Sequence, residues 1–333
     1  MKFKLLSLAV GVSLIAAGLA HADAPKVYGR FDAALQNTNK ESTTAKNQWE
    51  LLNNNSRFGF KGSEQIDEDT SYSYQLEWGV DPADNDKAST DNITARNQFV
   101  TLHYNPVGEV QLGRFDTPLK TAQGKVDQFN DHAGDIKNLF TSGSGGEVRQ
   151  NNAVAYRSNK LLGEVLQATV MVSPGEKVDV DGNGVADENG IADSYSASVV
   201  ATKDNWYGAI AIDSSIQKWD HVRVVGGVDL GSLQLGAIYQ QGQESKSGSV
   251  SEDNGYFLSG GYSINEYLLK AQWGNYTIDS AAGATTTNRT LLALGVEKKL
   301  SKQAKIYAEY VNVNEDKADT SDVYLSLGTQ VNF

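Results

Sequence analysis

Three aspartates at four-residue spacing, Asp127, Asp131 and Asp135, form the pattern in this 333-residue sequence that most directly suggests chemistry. If the stretch is helical, the three carboxylates share one face, and like charges so placed repel each other. We therefore expect basic side chains to face them. Acidic and basic groups on opposite sides of a water-filled gap produce a transverse field, which orders water and favours small polar solutes.

Six basic residues lie on the polar face of segments in which apolar and polar residues alternate. They are Arg30, Arg57, Lys61, Arg96, Arg149 and Arg157. Alternate side chains of a strand point to opposite faces, so the six are expected on one side of a sheet. We predict that they form a basic wall opposite the three aspartates. The alternative is that they are ordinary solvated charges, which any water-filled barrel carries.

Oxygen-bearing side chains alternate around a glycine in a separate, acidic segment. The series is Asp179, Asp181, Asn183, Asp187, Asn189 and Asp193, with Gly184 at the sharp turn. The spacing resembles calcium-binding DxDxNG repeats, although Gly190 stands where the helix–loop–helix type has a bidentate glutamate. Ca²⁺ binding and a merely solvated acidic loop both fit the pattern. No other cofactor is expected.

Catalytic patterns are scarce. The sequence has no cysteine, which excludes disulfides and thiolate chemistry. Beyond residue 22 its histidines are His103, His132 and His221, and none has a G-x-S-x-G motif beside it or a partner at zinc-ligand spacing. We predict that the protein is not an enzyme and that each histidine is a rim or solvated residue.

The first 22 residues are expected to form a secretory signal peptide. Lys2 and Lys4 precede the apolar run Leu5–Leu19, and Ala20-His21-Ala22 is a small-x-small site, so cleavage is expected before Asp23. The alternative, a single transmembrane anchor, requires a longer apolar run. Residues 23–333 then form one exported domain.

Composition favours strands and excludes nucleic acid as a partner. The formal net charge of −12 becomes −14 without Lys2 and Lys4, whereas phosphates require a basic surface. The 15 Tyr, 10 Phe and 5 Trp favour strands, and the 32 Gly favour turns. A soluble β-protein and an outer-membrane barrel remain.

Alternating segments divide the domain into sixteen candidate strands. They cover about residues 26–37, 48–63, 70–81, 93–105, 109–117, 148–159, 164–174, 193–204, 206–215, 220–230, 232–243, 254–264, 266–278, 288–299, 303–314 and 321–333. Tight connections such as Asp204-Asn205 alternate with long ones such as 118–147, which is typical of a membrane barrel with short periplasmic turns and long external loops.

The sequence therefore predicts an all-β fold, a 16-stranded antiparallel transmembrane barrel surrounded by outer-membrane lipid. Its polar faces carry Lys, Glu, Gln and Arg, so we expect a wet channel interior and not a packed core. The third long loop, at about 30 residues, either covers the barrel or enters it.

Arg114 departs from the basic wall. It has the parity of Val110 and Leu112, so it is expected to face outward, where an arginine at mid-bilayer costs about 2–4 kcal/mol. Either Arg114 lies at the membrane interface or another subunit covers it. A parity error of one residue is the remaining alternative.

Five segments, in chain order, resemble the general porins of Gram-negative bacteria. They are Val27–Asp32, Ser56–Glu64, Leu112–Pro118, Asn152–Ser158 and the terminal Phe333. The resemblance covers the whole chain after the signal segment. It implies a homotrimer of 16-stranded barrels in the outer membrane, each with its third long loop folded inward to narrow the pore.

The resemblance also implies roles for individual residues. Basic wall positions of these porins are matched by Arg30, Arg57, Arg96 and Arg157, and the loop aspartates occupy a comparable place. Thr94 stands where a further basic residue can occur, so this wall has one charge fewer.

Two roles implied by the resemblance concern contacts outside the barrel. Arg114 is expected to be latched by a neighbour's second long loop, where Asp81, Asp84 and Asp86 are available. The last strand, with the pattern Ser326-x-Gly328-x-x-Val331-x-Phe333, is expected to be read by the barrel-assembly machinery.

We therefore predict a channel for passive diffusion of small hydrophilic solutes and ions. The alternatives are an oligosaccharide-selective channel, whose lumen would carry an aromatic track, and an adhesion or structural barrel with a closed pore. The acidic segment 179–193 falls on the external side, where divalent ions could bridge it to lipopolysaccharide.

Overall fold

A computed structural model describes residues 24–41, 46–83, 92–175, 190–245 and 250–333. The predicted signal peptide lies outside this range. The described chain is almost entirely β-structure. The strands are β1 (Lys26–Lys40), β2 (Gln48–Asn53), β3 (Arg57–Gln65), β4 (Thr70–Val80), β5 (Ile93–Tyr104), β6 (Gly108–Asp116), β7 (Arg149–Ser158), β8 (Leu166–Ser173), β9 (Ser194–Lys203), β10 (Trp206–Ile216), β11 (Trp219–Asp229), β12 (Leu233–Glu244), β13 (Glu252–Ile264), β14 (Tyr267–Asp279), β15 (Thr285–Lys299), β16 (Ala304–Glu315) and β17 (Thr320–Asn332).

The seventeen described strands close into a barrel with sixteen strand positions, which we call staves. β1 pairs with β2 through Ala33↔Asn53 and with β3 through Arg30↔Arg57, so β2 and β3 are two parts of one stave interrupted at residues 54–56. β1 also pairs with β17, from Arg30↔Asn332 to Lys40↔Asp322. Among the described residues, all neighbouring strands are antiparallel and no sheet edge is left open, which confirms the predicted 16-stranded all-β barrel.

The two rims differ in the length of their connections. At the rim where β1 begins, the connections include 66–69, 105–107 and 204–205. At the opposite rim they include 117–148 and 174–193. The predicted sorting of short and long connections between the two rims is therefore observed for these segments, and we name the rims periplasmic and external as predicted. Two external connections, 217–218 and 316–319, are as tight as the periplasmic ones.

The outer face suits contact with lipid. Apolar side chains such as Val100, Leu102 and Leu112 are 44–46% exposed at alternate positions, while their sequence neighbours point into the lumen. Trp206 and Tyr262 are exposed near the periplasmic strand ends, where aromatic side chains favour the membrane interface. Within the described residues, no helix is long and apolar enough to cross a membrane.

The third external connection folds into the lumen and packs against its wall. It contains the helix α1 (Pro118–Thr121) and two 3₁₀ turns, Ile136–Asn138 and Ser142–Gly146. Its apolar side chains are buried together with inward-facing residues of the distant strands. This core comprises Leu119, Ala122, Val126, Phe129, Ile136, Leu139 and Phe140 of the loop, and Ala209, Ala211, Val225, Ile238, Phe257, Tyr276, Leu291, Ala293 and Val311 of the wall.

The expectation of a wholly wet interior is therefore wrong for one side of the barrel. The wall from β9 to β16 is covered by the loop, and the charged, water-facing part of the lumen lies towards β1 to β8. The apolar residues at 119–140 are spread over a segment without strand periodicity, so the alternation that reveals the barrel strands does not reveal this core.

Candidate functional site

The third loop brings one carboxylate against two arginines of the wall. Arg30 on β1 places its Nη1 2.9 Å from Oδ2 of Asp131. Arg57 on β3 places its Nη1 3.0 Å from the same oxygen. Asn55, in the break between β2 and β3, donates to Oδ1 of Asp131 at 2.8 Å. Asp131 thus receives three hydrogen bonds, two of them charge-assisted, at the point where the loop meets the wall.

Asp131 is held as an anion. Its backbone has φ of +74°, a conformation that aspartate adopts more readily than most residues, and its N–H donates to Asp135. Burial opposes ionisation, but Arg57 and Arg30 outweigh it and hold the pKa of Asp131 below its ordinary value. The loop therefore presents a negative charge at neutral pH.

Two further acids of this region come from the wall itself. Glu77 on β4 accepts from Arg96 Nε at 2.7 Å and lies 4.0 Å from Arg57, so it links these two arginines. Asp116, at the end of β6, lies 3.1 Å from both Arg149 and Lys120. Neither acid belongs to a motif that marks it in the sequence as a partner of the wall arginines. Glu77 has the parity of inward-facing Ser73 and Gln75, which is the signal that identifies it.

The basic residues predicted for the wall occupy three places. Arg30, Arg57 and Arg96 surround Asp131 and Glu77, and Arg149 pairs with Asp116 nearby. Lys61 is exposed towards the periplasmic rim, with its ammonium 5.0 Å from the centre of the Tyr28 ring. Arg157 lies on β7 with Nη1 2.7 Å from Glu109 Oε1.

The other two loop aspartates stabilise the loop and do not face the wall arginines. The segment that contains them forms successive turns, so the condition for a shared helical face is not met. Asp127 accepts from the backbone N–H groups of Phe129 and Ile136, and burial, together with the charge of Asp135, raises its pKa to about 8. Asp135 caps the first 3₁₀ turn by accepting from the N–H of Lys137.

Buried ion pairs anchor the loop to β1 and β16, next to the contact with Arg30. Nδ1 of His132 lies 2.9 Å from Glu309, and its Nε2 lies 3.3 Å from Asp32. Burial lowers the pKa of His132, but hydrogen bonds to the two carboxylates outweigh it and raise the pKa to about 9. Lys270 lies 2.8 Å from Glu309 on its other side. The imidazolium and the Lys270 ammonium together therefore balance two buried wall carboxylates that water cannot reach.

A second anchor lies where the loop returns to β7. Arg223 of β11 is fully buried and donates to Glu147 at 2.7 Å, to the carbonyl oxygen of Gly145 at 2.7 Å and to Gln240 at 2.8 Å. His221, two residues earlier, is also buried, 3.2 Å from Asp253. The prediction that the histidines are rim or solvated residues is therefore wrong for His132 and His221.

Arg114 lies at a bulge between β6 and β7, beside the outward-facing Leu112. Its guanidinium donates to Asn151 and, at 3.5 Å, to the carbonyl oxygen of Arg149. Of the expected latch acids, Asp84 and Asp86 lie outside the described residues. The contact with a neighbouring subunit stays a prediction.

The predicted calcium series falls mostly outside the described residues, which include only Asp193 of its six members. The Asp193 carboxylate accepts from the N–H of Gly190 at 2.9 and 3.0 Å. Within the described part of the chain, no group of three or more acidic or histidine side chains has the geometry of a metal site.

Cavities flank the inward loop. One, of about 540 Å³, opens on the external side and is lined by Lys40, Lys137 and Arg289 among others. Another, of about 320 Å³, lies against β4 to β8 and reaches the periplasmic half of the lumen. Asp116 and Arg157 are among the residues that line it. A closed barrel with a lipid-suited exterior, charged cavities and an inward loop defines a transmembrane channel of the outer membrane.

The sequence matches the family of Gram-negative porins over residues 7–318, and the chain belongs to this family. The match confirms the resemblance to Gram-negative porins, and with it the predicted location in the outer membrane.

Solved porin structures share the fold. The anion-selective porin from Comamonas acidovorans is 18% identical, with a TM-score of 0.77 over 93% of this chain and 99% of that one. OmpT of Vibrio cholerae in its trimer form is 14% identical, with a TM-score of 0.70 over 93% and 99%. OmpF of Salmonella typhi, in a complex with daunomycin, is 15% identical, with a TM-score of 0.69 over 93% and 97%.

Proposed function

We propose that the protein is a passive channel whose selectivity is set where the third loop meets the arginine wall. The observation that carries the proposal is the pair of ion contacts from Arg30 and Arg57 to Asp131. They fix a negative loop residue against a positive wall inside a lumen bordered by water-accessible cavities. Small polar solutes can exchange hydration water for these groups, whereas apolar solutes cannot.

We further propose a weak preference for anions. Around the constriction, five cations face three carboxylates, which leaves a formal charge of +2. The cations are Arg30, Arg57, Arg96, Arg149 and Lys120, and the carboxylates are Glu77, Asp116 and Asp131. The acidic net charge of the whole chain has little influence here, because charges beyond about 8–10 Å are screened at physiological salt. One similar solved structure is described as an anion-selective porin.

The Asp131→Asn variant tests both the proposed place of selectivity and the proposed preference for anions. Removing the loop carboxylate raises the local formal charge from +2 to +3, so anion preference should increase, by about twofold or more in the permeability ratio. The measurement is the reversal potential across a planar bilayer in a KCl gradient.

Asp127→Asn is the matched control, because the Asp127 carboxylate lies against loop backbone and not against the wall arginines. It should leave the reversal potential unchanged. A cation-preferring wild-type channel, or an Asp131→Asn channel with the wild-type ratio, would contradict the proposed selectivity.

We also propose that the barrels assemble as homotrimers. The support is that a solved structure with the same fold, OmpT of Vibrio cholerae, is described in a trimer form. Arg114 beside the outward-facing apolar residues is the candidate contact, since an arginine near lipid gains from a partner's acidic loop.

A further inference from the structure

Three polar side chains in the periplasmic half of the lumen form a continuous hydrogen-bonded series that diffusion does not require. Oγ of Ser73 on β4 lies 2.8 Å from Nε2 of His103 on β5, and Nδ1 of His103 lies 2.8 Å from Oε2 of Glu109 on β6. Register explains the arrangement: His103 is directly opposite Glu109, and Ser73 is diagonal to His103. All three point into the lumen, next to the short connections 66–69 and 105–107.

The order serine, histidine, carboxylate is the order needed to activate a hydroxyl nucleophile. With the proton of His103 on Nδ1, donated to Glu109, the Nε2 lone pair faces the Ser73 hydroxyl and can accept its proton. Glu109 is itself oriented, because its second oxygen accepts from Arg157 at 2.7 Å. A solvated histidine on a rim would not be fixed from both ring nitrogens.

The series borders the cavity of about 320 Å³, which is large enough for a small organic molecule. One part of the cavity is apolar. It is lined by Phe99 and Phe115, whose rings pack edge to face with their centres 6.2 Å apart. Gln111 and Arg157 line it as well and carry N–H donors. Apolar surface, an activated hydroxyl and N–H donors together suit an ester, whose carbonyl oxygen becomes negative during attack.

We propose that Ser73, His103 and Glu109 form a hydrolytic site for short-chain carboxylic esters inside the channel. The Ser73 oxygen adds to the ester carbonyl carbon while His103 Nε2 takes the hydroxyl proton. The bond from that carbon to the alcohol oxygen breaks, and His103 returns the proton to the leaving alkoxide. A water oxygen then adds to the acyl carbon while His103 Nε2 takes a water proton. The bond from that carbon to the Ser73 oxygen breaks, and His103 returns the proton to this oxygen, which releases the acid and restores the hydroxyl. Glu109 is a positioning residue.

The test uses the full-length folded protein in detergent, with a fluorophosphonate as the covalent probe and p-nitrophenyl acetate as the ester. Wild-type protein should be labelled on Ser73, and Ser73→Ala should lose the label and hydrolyse the ester at least about tenfold more slowly. Ser71→Ala, on the same strand and the same inward face, should retain both activities. Heat-modifiable gel mobility and unchanged single-channel conductance show that each variant is folded.

Glu109→Gln separates positioning from a merely structural role, because it should lower kcat and leave KM near the wild-type value. The proposal is overturned if wild-type protein takes no label, if Ser73→Ala hydrolyses the ester as fast as wild type, or if Ser71→Ala loses activity to the same degree. None of these outcomes bears on conductance, so the channel function is tested separately.

Discussion

At the scale of single residues, missing side chains decide how closely the third loop can approach the wall. A Cβ at Gly236 would lie 2.8 Å from Val126, and one at Gly255 would lie 2.6 Å from Phe140. Both distances are shorter than van der Waals contact allows, so the wall needs glycine where the apolar loop side chains pack. Conversely, Gly226 faces outward into open space and is free to change.

Gly236→Ala should therefore destabilise the loop. The added methyl group overpacks the contact with Val126, with an expected cost of about 1–3 kcal/mol, and displaces the loop towards the pore. Thermal unfolding followed by gel mobility, together with single-channel conductance, measures both effects. Gly226→Ala is the matched control and should stay within about 0.5 kcal/mol of wild type. Equal effects of the two substitutions would show that loop packing is not the cause.

At the scale of elements, buried ion pairs hold the third loop against the barrel wall. His132 pairs with Asp32 and Glu309 near the loop tip, and Arg223 pairs with Glu147 near its return. Between these anchors an apolar core fills the space against β9 to β16. A loop held this way stays in one position while solutes pass, which a 32-residue connection without anchors would not do.

The His132 anchor should weaken at alkaline pH. The pKa of His132 is raised from its ordinary value near 6.5 to about 9, so its stabilisation is complete below the ordinary value and is lost as pH rises through 9. The shift corresponds to about 3 kcal/mol. We expect thermal stability to fall between pH 7 and 10 in the wild type.

His132→Gln should be less stable at pH 7 and should lack most of that dependence. Lys125→Gln is the control, because it removes one positive charge from an exposed position of the same loop and should keep the wild-type pH profile. A His132→Gln protein that retains the wild-type profile would assign the pH dependence to other groups.

At the scale of the whole molecule, β17 completes the barrel by pairing with both β16 and β1. Phe333 extends this seam: its carbonyl oxygen accepts from the N–H of Gly29 at 2.9 Å, its own N–H donates back at 3.1 Å, and its ring covers Gly29. The same residue is the one that we expect the barrel-assembly machinery to read.

Deleting Phe333 should impair insertion into the outer membrane more than it impairs conductance. The deletion removes two seam hydrogen bonds and the aromatic end, whereas the constriction residues stay in place. The amount of heat-modifiable protein in membrane fractions is the measurement, and single-channel conductance of the inserted fraction is its comparison. Phe333→Tyr should insert normally, because it keeps the aromatic ring and the backbone contacts. Normal insertion after the deletion would show that assembly does not depend on Phe333.

Trimer stability should depend on Arg114. Arg114→Glu places a negative charge where a neighbour's acidic loop is expected, so trimers should dissociate at a temperature lower by several degrees on native gels. Lys203→Glu makes the same charge change at an exposed periplasmic strand end and should leave the trimer intact. Unchanged trimers in Arg114→Glu would exclude the latch, and a wild-type protein that is monomeric would exclude the trimer itself.

The strands could be predicted because their signal is local. Lipid on one face and water on the other impose a period of two on every stave, and the sixteen predicted segments match the observed staves to within a few residues. In the described strands, register shifts break the pattern only locally, at Leu76/Trp78, Gly113/Phe115, Asp213/Ile216 and Ile278/Asp279. The first two lie beside constriction residues, where strand parity alone cannot assign the direction of each side chain.

The sequence alone predicts the barrel and the inward direction of the arginines around Asp131, because alternation and turn residues act between near neighbours. Which aspartate meets those arginines depends on the tertiary structure. Asp127, Asp131 and Asp135 are equivalent in type and spacing, yet His132 and the apolar core beside it position Asp131 alone against the wall. The tertiary structure also brought together Ser73, His103 and Glu109, since strand register joins residues that no local motif connects.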